Sequence, residues 1–356
     1  MIVASARPRG RPAVAVLLGD PGGVGPELAV KLVARPANRA RADIAIFGDP
    51  RVLAAGERAA AVRLDVHRIA PGEPLAFDDD RATFVAHDWL GADDIAIGRA
   101  TLASGRSVLA GLSAAAEAVR DGSVDGIVFA PLNKHAMRMA GLAQDDELRH
   151  LANLLGVTGF VTEFNVTGAL WTSRVTSHIP LAEVARSITP DGVCEAVRII
   201  DRTLRAAGVA APRIAVAGLN PHAGDGGSFG REEIDIIAPA LSSLAAEGLS
   251  VRGPMPADTV FVAARRGDFD AVVTMYHDQG QIAMKLMGFE RGVTLLGGLP
   301  VPVATCASGT AFDIAGRGVA SVEGLQQALS LVVRMCGADP HAAARRAATE
   351  PPGSAA

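Results

Sequence analysis

The sequence has few cysteines, few aromatic residues and no large excess of charge. Its three cysteines, Cys194, Cys306 and Cys336, are odd in number and form no Cys-x-x-Cys pair, so they indicate neither a disulfide framework nor a thiolate metal site. The net charge of −4 gives no reason to expect nucleic acid as a partner. No stretch approaches the roughly 18 apolar residues of a membrane span. We therefore expect a cytoplasmic chain without nucleic-acid or membrane partners.

Short apolar runs alternate with longer helical patterns along the chain. At 356 residues it exceeds the roughly 250–300 at which one hydrophobic core stops growing, so two domains are expected. The alternation indicates an α/β fold with a mostly parallel sheet. We predict strands at Ala13–Leu18, Ile44–Phe47, Gly126–Ala130, Leu170–Val175, Ile214–Gly218 and Ala271–Met275. We predict helices at Pro26–Ala34, Leu102–Arg120, Asp191–Ala207, Glu232–Glu247, Asp258–Arg266 and Val322–Cys336.

Three of the eight histidines stand near the point where an apolar, strand-like run gives way to glycine, proline, asparagine or aspartate. They are His178 in TSHIPL, His222 in GLNPHAGDGGSFGREEID and His277 in MYHDQG. Open α/β sheets place catalytic groups at such strand ends, and neutral imidazole is the commonest protein ligand of divalent transition metals. The three are therefore candidate ligands of one metal, against the alternative of unrelated histidines. Spacing alone does not decide, because only a fold brings them together.

Two glycine-rich segments follow predicted strands. The first, Gly19–Glu27, matches neither the dinucleotide-binding fingerprint nor the P-loop, and a tight strand-to-helix turn explains its glycines as well as a ligand does. The second, Asn220–Gly227, leads into the acidic helix start Glu232-Glu233. Such a loop can hold a side chain rigidly while its free amides face an anion or cofactor.

Seven motifs together resemble those of the PdxA family, whose namesake is 4-hydroxythreonine-4-phosphate dehydrogenase. They are GDPGGVGPEL, APLNKHAMRMAG, TSHIPL, GLNPHAGDGGSFGREEID, GPMPADTVF, DAVVTMYHDQGQIAMKLMGFERGV and SGTAFDIAGRG. The resemblance covers nearly the whole chain. It implies a two-domain α/β fold related to isocitrate and isopropylmalate dehydrogenases, with mostly parallel sheets and helices on both faces. We place one domain at residues 1–135 plus 300–356 and the second, which carries the histidine motifs, at residues 136–299.

The resemblance also implies cofactors and an assembly. These are NAD, with NADP as an alternative, and a divalent metal held by His178, His222 and His277. Zinc is the first expectation for the metal, with iron, manganese, cobalt and magnesium as alternatives. The family forms a homodimer with its active site in the domain cleft and at the dimer interface.

Several positions depart from the family pattern for phosphate substrates. A Gly-His-Thr-Glu motif aligns with Asp146-Glu147-Leu148-Arg149, a family asparagine aligns near Thr294, and a family arginine aligns with Val303. A phosphate needs several charge-assisted donors, and this pattern has lost an arginine and a histidine and gained an acid. A slipped local alignment, with His150 or Arg149 serving instead, is the alternative.

These departures resemble the branch of terephthalate cis-dihydrodiol dehydrogenases, so we expect a dicarboxylate substrate. That substrate, 1,2-dihydroxy-3,5-cyclohexadiene-1,4-dicarboxylate, has a hydroxyl on the carbon β to a carboxylate. Hydride transfer to the nicotinamide gives a β-keto acid, which loses CO2 readily when a Lewis acid accepts the developing charge. Tautomerisation then restores the aromatic ring and gives protocatechuate. The alternatives are oxidation of 4-hydroxythreonine 4-phosphate or a 4-phospho-sugar acid, and, in a different class, a three-histidine metal hydrolase.

The remaining site assignments also follow from the resemblance. We expect Lys285, Asp258 and Asp278 in catalysis, with Lys285 binding a carboxylate or moving a proton and the two aspartates orienting metal ligands. Asp258 as a helix cap is the alternative. Cofactor contacts are expected from Asn220, Gly224, Gly226 and Gly227, and substrate contacts from Lys285, Glu147, Arg149 and Thr294, with Arg174 as a further candidate for a carboxylate.

Overall fold

A computed structural model describes residues 10–78, 80–91 and 94–338 of the chain. The described residues up to Val161 and from Leu299 onward form one compact unit, and Thr162–Gly298 form a second. The chain passes from the first unit to the second after Val161 and returns to the first after Gly298. The segment 136–161, with Glu147 and Arg149, belongs to the first unit. The ends of the predicted first domain, residues 1–9 and 339–356, lie outside the described residues.

The first unit contains a parallel sheet whose order is β3-β4-β2-β1-β5-β12. Every residue of β1, β2, β5 and β12 is buried, as expected for parallel strands covered on both faces. Numbered along the chain, the strands of this unit are β1 (Ala13–Leu17), β2 (Asp43–Gly48), β3 (Val66–Ile69), β4 (Ala82–Ala86), β5 (Gly126–Phe129) and β12 (Val303–Cys306).

The helices of the first unit begin at recognisable caps. Thr101 forms a capping box with Ser104 before the longest helix, and the side chains of Asp49, Asn133 and Asp146 cap three others. The helices are α1 (Gly25–Ala34), α2 (Pro36–Arg39), α3 (Pro50–Ala60), α4 (Leu102–Arg120), α5 (Lys134–Met139), α6 (Glu147–Leu154) and α12 (Glu323–Ala338).

The second unit contains a mixed sheet with the order β11-β6-β7-β10-β8-β9. Strand β6 is antiparallel to both neighbours, while β7, β10, β8 and β9 run parallel. Its strands are β6 (Thr162–Thr167), β7 (Leu170–Arg174), β8 (Ile214–Ala217), β9 (Val251–Met255), β10 (Ala271–Thr274) and β11 (Val293–Gly297). Its helices are α7 (Val184–Ser187), α8 (Pro190–Ala206), α9 (Ala238–Ala246), α10 (Ala257–Arg265) and α11 (His277–Gly288). Short 3-10 turns lie at Leu181–Glu183, Pro221–Gly227 and Phe289–Arg291. A π-helical turn lies at Glu233–Ile237.

The mostly parallel α/β prediction is confirmed, and all six predicted strands are present within one residue at each end. The helix predicted over Glu232–Glu247 is divided, because its first turn is π-helical and α9 begins only at Ala238. Helix α11 was not predicted, since its first residues belong to the MYHDQG segment, which reads as a loop. None of the described helices combines the length and hydropathy that crossing a membrane requires.

Candidate active site

Three neighbouring parallel strands bring the loops with the three histidines to one edge of the second unit's sheet. Strand β10 lies between β7 and β8 and runs parallel to both. His178 follows β7, His222 follows β8, and His277 follows β10 as the first residue of α11. Because the carboxyl ends of parallel strands share an edge, this is where an open α/β sheet places its ligand site.

The structure brings two of the three histidines into contact. The ring centroids of His178 and His277 are 5.6 Å apart with an interplanar angle of 40°. The ring of His222 lies instead against Phe229, with centroids 6.2 Å apart. Across residues 10–78, 80–91 and 94–338, no three His, Cys, Asp or Glu side chains form a group that could hold a metal ion. Within one chain the site is therefore a pair of imidazoles, with the third histidine on an adjacent loop.

Asp278 lies within hydrogen-bond distance of one ring nitrogen of His277. Its Oδ1 lies 2.7 Å from Nδ1 of His277, and both side chains are more than a third exposed. A carboxylate at this distance favours a proton on Nδ1, which leaves the lone pair on Nε2. The expected orienting role of Asp278 thus has a geometric basis, and Nε2 is the nitrogen of His277 available to a ligand.

The loop that carries His222 has an unusual backbone. Five consecutive residues, His222 to Gly226, have left-handed dihedral angles, with φ between 44° and 82°. His222, Ala223 and Asp225 have side chains, and the left-handed helical conformation costs such residues about 1–2 kcal/mol each. A conformation of this kind persists only where the surrounding structure holds it.

The carboxylate of Glu233 anchors this loop through hydrogen bonds. It is buried, and its Oε1 accepts hydrogen bonds from the backbone N–H groups of Leu219 and Asn220, both at 2.7 Å. Its Oε2 accepts from the side-chain amide of Asn220 at 2.9 Å, and a Cβ added to Gly224 would lie 2.8 Å from the same oxygen. Gly224 is therefore required for the close approach of the loop to the carboxylate.

The predicted cofactor contacts fall into two groups. Asn220 and Gly224 hold the conformation of the loop. Asn220 also donates to Glu232 at 2.7 Å, and Gly224 is buried against Glu233. Gly226 is exposed, and no atom lies within 4 Å of its Cβ position. Gly227 is half-buried beside Ile234 and Arg231. Of the three glycines, only Gly226 has open space at its Cβ position.

The other predicted residues of the second unit differ in exposure and in hydrogen bonding. Lys285 is exposed on α11, two turns after His277 and on the same side of the helix. Thr294 lies on β11, where its hydroxyl accepts a long 3.5 Å hydrogen bond from Asn165. Asp258 is exposed in the first turn of α10, and Pro256 occupies the cap position, so Asp258 is not the helix cap. Arg174 is buried and bonded to Glu163, Asn165 and Ser177.

Carboxylates surround the start of α6 in the first unit. Asp146 caps the helix and accepts from Arg149 at 2.6 Å, while Asp145 lies 3.6 Å from the same guanidinium. Glu147 is largely buried and pairs with Lys134 at 3.5 Å. Arg149 is therefore already committed to two acids. Three carboxylates therefore share two cations at this position.

Two of the positions compared with phosphate-binding donors are core positions in this chain. Leu148 is 1% exposed within α6, and Val303 is 0% exposed at the start of β12. Neither side chain is placed to contact a ligand. Val303 is paired with Ile127 in the sheet.

The glycines of the first glycine-rich loop serve packing. A Cβ on Gly19 would lie 2.8 Å from the carbonyl oxygen of Pro131, and one on Gly22 would lie 2.5 Å from that of Arg99. The tight-turn alternative therefore explains this loop. Within it Asp20 is fully buried, its Oδ1 accepts from Gly22 N–H at 2.8 Å, and burial raises the pKa of its carboxyl to about 6.

A family model described as pyridoxal phosphate biosynthetic protein PdxA matches residues 40–332. The chain belongs to the PdxA family. Among PdxA relatives, a Pseudomonas aeruginosa protein provisionally named 4-hydroxythreonine-4-phosphate dehydrogenase 2 is 51% identical over 329 residues, which cover 91% of this chain and 97% of the relative.

Solved structures of the PdxA family agree with this placement. A 4-hydroxythreonine-4-phosphate dehydrogenase from Klebsiella pneumoniae is 33% identical with a TM-score of 0.79, over 92% of this chain and 99% of that one. A terephthalate 1,2-cis-dihydrodiol dehydrogenase from Burkholderia xenovorans is 32% identical with a TM-score of 0.64, over 91% and 98%. The comparisons thus favour the phosphate-substrate alternative over the expected dihydrodiol.

The comparisons also bear on the wider fold and on the reaction class. A β-decarboxylating dehydrogenase from Thermococcus kodakarensis, 14% identical with a TM-score of 0.51, shares the fold, as the expected relation to isocitrate and isopropylmalate dehydrogenases requires. The PdxA relatives are named dehydrogenases, and the chain is an oxidoreductase acting on a CH–OH group. The alternative of a three-histidine hydrolase is set aside.

Some residues that shape the site were not predicted from the sequence. Gln279 hydrogen-bonds to Gly218 and Met275, at the ends of two neighbouring strands. Gln279 and Glu233 lie inside quoted motifs, so their position within a motif was the available signal. Asn165 lies in a strand that was not predicted and carried no signal at all.

Proposed function

We propose that the chain is a metal- and NAD-dependent dehydrogenase that oxidises a secondary alcohol β to a carboxylate, with loss of CO2, on a 4-phosphorylated hydroxy acid. The observation that carries this proposal is the 51% identity, over 97% of its length, to a relative named for 4-hydroxythreonine 4-phosphate. A 4-phospho-sugar acid belongs to the same chemical class. NADP remains the alternative to NAD.

The imidazole pair fits a divalent metal by its donor chemistry. His178 and His277 would hold the ion, with zinc first and iron, manganese, cobalt or magnesium as alternatives, and His222 would be the third ligand. A bound divalent metal would supply Lewis-acid chemistry at the substrate hydroxyl and carboxylate, and NAD would supply the hydride acceptor. Asp278 would contribute by keeping the proton on Nδ1 of His277, which leaves the lone pair of Nε2 for a ligand bond.

A second copy of the chain would complete this site. His178 and His277 are in contact within one chain, while the ring of His222 is turned to Phe229. The second unit also exposes large apolar side chains, with Leu181 72%, Ile282 60% and Leu286 84% exposed. Ile282 and Leu286 lie one helical turn apart on α11, and exposed apolar neighbours of this kind favour an interaction face. We propose a homodimer in which His222 of one protomer joins the imidazole pair of the other.

The remaining roles are assigned to individual side chains and backbone amides. Lys285 binds the substrate carboxylate or passes a proton, since it is exposed on the His277 side of α11. The backbone of Gly226 and Gly227 faces the cofactor, with Asn220 and Gly224 shaping that loop. Asp258, in the first turn of α10, is assigned the orientation of a metal ligand. Glu147, Arg149 and Thr294 remain proposed substrate contacts.

A specific observation favours the terephthalate cis-dihydrodiol, a dicarboxylate, as a second candidate substrate. Asp145, Asp146 and Glu147 place negative charge at the start of α6, and Arg149 is paired with two of them. A phosphate placed there would bring close to two negative charges against these acids, whereas one carboxylate of the dihydrodiol would bring a single charge.

One assay distinguishes the two candidates. The purified chain is supplied with Zn²⁺ and NAD, and nicotinamide absorbance is followed with 4-hydroxythreonine 4-phosphate and with the dihydrodiol. A higher kcat/KM on the phosphate supports the main proposal, and a higher kcat/KM on the dihydrodiol replaces it with the second. Glu147→Gln serves as the matched variant. It should improve the phosphate substrate selectively if that group binds beside α6.

A further inference from the structure

A polar cluster lies on one face of the sheet in the second unit, beside the imidazole pair. Asn165 is at its centre on β6, where it pairs with Thr172 of β7 and Thr294 of β11. Its side-chain oxygen accepts two hydrogen bonds, from Nη1 of Arg174 at 3.0 Å and from Nε2 of Gln281 at 2.6 Å. One carbonyl oxygen thus joins a strand end to a helix.

The first of these bonds leads to His178. Arg174 is the last residue of β7, and its Nε donates to Oγ of Ser177 at 3.0 Å. Ser177 immediately precedes His178, which has a left-handed φ of 49°. Nη2 of Arg174 donates to Glu163 at 2.6 Å, so the guanidinium is held on three sides. The turn with His178 is therefore tied to Asn165 through a single rigid side chain.

The second bond leads to His277. Gln281 lies one helical turn after His277 on α11, and residues four apart share a helix face. The helix itself approaches the sheet closely at Gly280, where an added Cβ would lie 3.3 Å from Oγ1 of Thr274. The bond to Asn165 fixes the rotation of the first turns of α11, and with it the direction of His277.

We propose that Asn165 is a positioning residue that sets the spacing of His178 and His277, because its one oxygen holds both the turn before His178 and the helix that begins at His277. Asn165 is 9% exposed and both donors are polar, so loss of the oxygen leaves two groups without an acceptor. The inference rests on the proposed metal site and adds the residue that prearranges it.

The test compares two buried asparagines given the same substitution. Asn165→Leu removes the oxygen while keeping a branched side chain with the same number of heavy atoms. Asn38→Leu does the same in the first unit, where Asn38 bonds to Leu32 and Gln326 and touches none of the histidines. Titration calorimetry should show Zn²⁺ affinity reduced about 10–100-fold in Asn165→Leu, the usual effect of removing a group that orients a ligand, and unchanged in Asn38→Leu. Asn165→Asp, which keeps an oxygen, should restore binding.

A double substitution tests the path through α11. Gln281→Met should weaken Zn²⁺ binding, and combining it with Asn165→Leu should weaken binding by less than the product of the two separate effects, since both remove one interaction. Independent, multiplicative losses would overturn the proposed path.

A measurement without metal keeps this inference separate from the proposed function. In metal-free protein with labelled histidines, magnetisation transfer between the rings of His178 and His277 should persist in the wild type and Asn38→Leu and weaken in Asn165→Leu. If the wild type binds no Zn²⁺, the metal proposal fails while the ring measurement still decides the role of Asn165. Unchanged ring transfer in Asn165→Leu would show that this residue does not position the pair.

Discussion

Gln279 bridges the strand ends that precede His222 and His277. Its Nε2 donates to the carbonyl oxygen of Gly218 at 3.0 Å, and its Oε1 accepts from the N–H of Met275 at 2.8 Å. Gly218 follows β8 and Met275 follows β10, so a single side chain links two neighbouring strands at the candidate site. The link connects the left-handed loop with the start of α11.

This link predicts the effect of Gln279→Glu. The variant keeps an acceptor for Met275 but places a carboxylate oxygen against the Gly218 carbonyl. We expect Zn²⁺ affinity to fall about 10–100-fold, as for other groups that orient ligands. Gln326→Glu, which loses a similar donor to Asn38 in the first unit, is the control and should lower stability without changing Zn²⁺ affinity. Equal affinities in both variants would show that the bridge does not matter to the site.

The contact between His178 and His277 makes a prediction about mixed dimers. If one protomer supplies both of these ligands and the other supplies His222, an inactive His178→Ala chain mixed with an inactive His222→Ala chain should form one intact site per heterodimer. Activity should therefore return. A mixture of His178→Ala with His277→Ala should stay inactive, because neither chain keeps the pair. The opposite pattern, measured on verified heterodimers, would place the pair across two chains.

The strand ends were predictable because buried parallel strands are short apolar runs, and the loops that follow adjacent strands share an edge. The conformation of the His222 loop was not, since left-handed angles at His222, Ala223 and Asp225 run against the preference of residues with side chains. They depend on Glu233, which lies further along the chain. Motif alignment also gave no side-chain direction, so Leu148 and Val303 were compared with ligand-binding residues although both are in the core.

Glu233→Gln should loosen the His222 loop. The amide keeps one oxygen for the N–H groups of Leu219 and Asn220 but turns a second donor toward the side-chain amide of Asn220. Because hydrogen bonds to charged groups contribute about 1.5–3 kcal/mol each, hydrogen exchange at Leu219 and Asn220 should accelerate by at least tenfold. Glu232→Gln is the matched control, since among these groups Glu232 accepts only from the Asn220 side chain. Similar exchange in both variants would contradict the role of Glu233.

Val303→Arg should destabilise the first unit instead of creating a phosphate site. The side chain at this position is 0% exposed within β12, and burying an unpaired guanidinium costs several kcal/mol. Urea unfolding should show a large drop in the midpoint. Thr294→Asn, a polar exchange at a half-buried position, should leave the midpoint nearly unchanged. A stable Val303→Arg protein with improved phosphate kinetics would show that this position opens toward the substrate.

Asp20 makes stability depend on pH. Burial raises the pKa of its carboxyl from 3.8 to about 6, so the folded state binds the proton more tightly than the unfolded state. The favourable contribution is fully present below pH 4 and is lost as pH rises through about 6. Asp20→Asn keeps the oxygen that accepts from Gly22 and cannot ionise. At pH 8 we expect the variant to be more stable than the wild type by about 3 kcal/mol, at about 1.4 kcal/mol per pKa unit, and the difference should fade toward pH 4. Urea unfolding across this range measures it, and a pH-independent difference would show that Asp20 is ionised in the folded protein at its ordinary pKa.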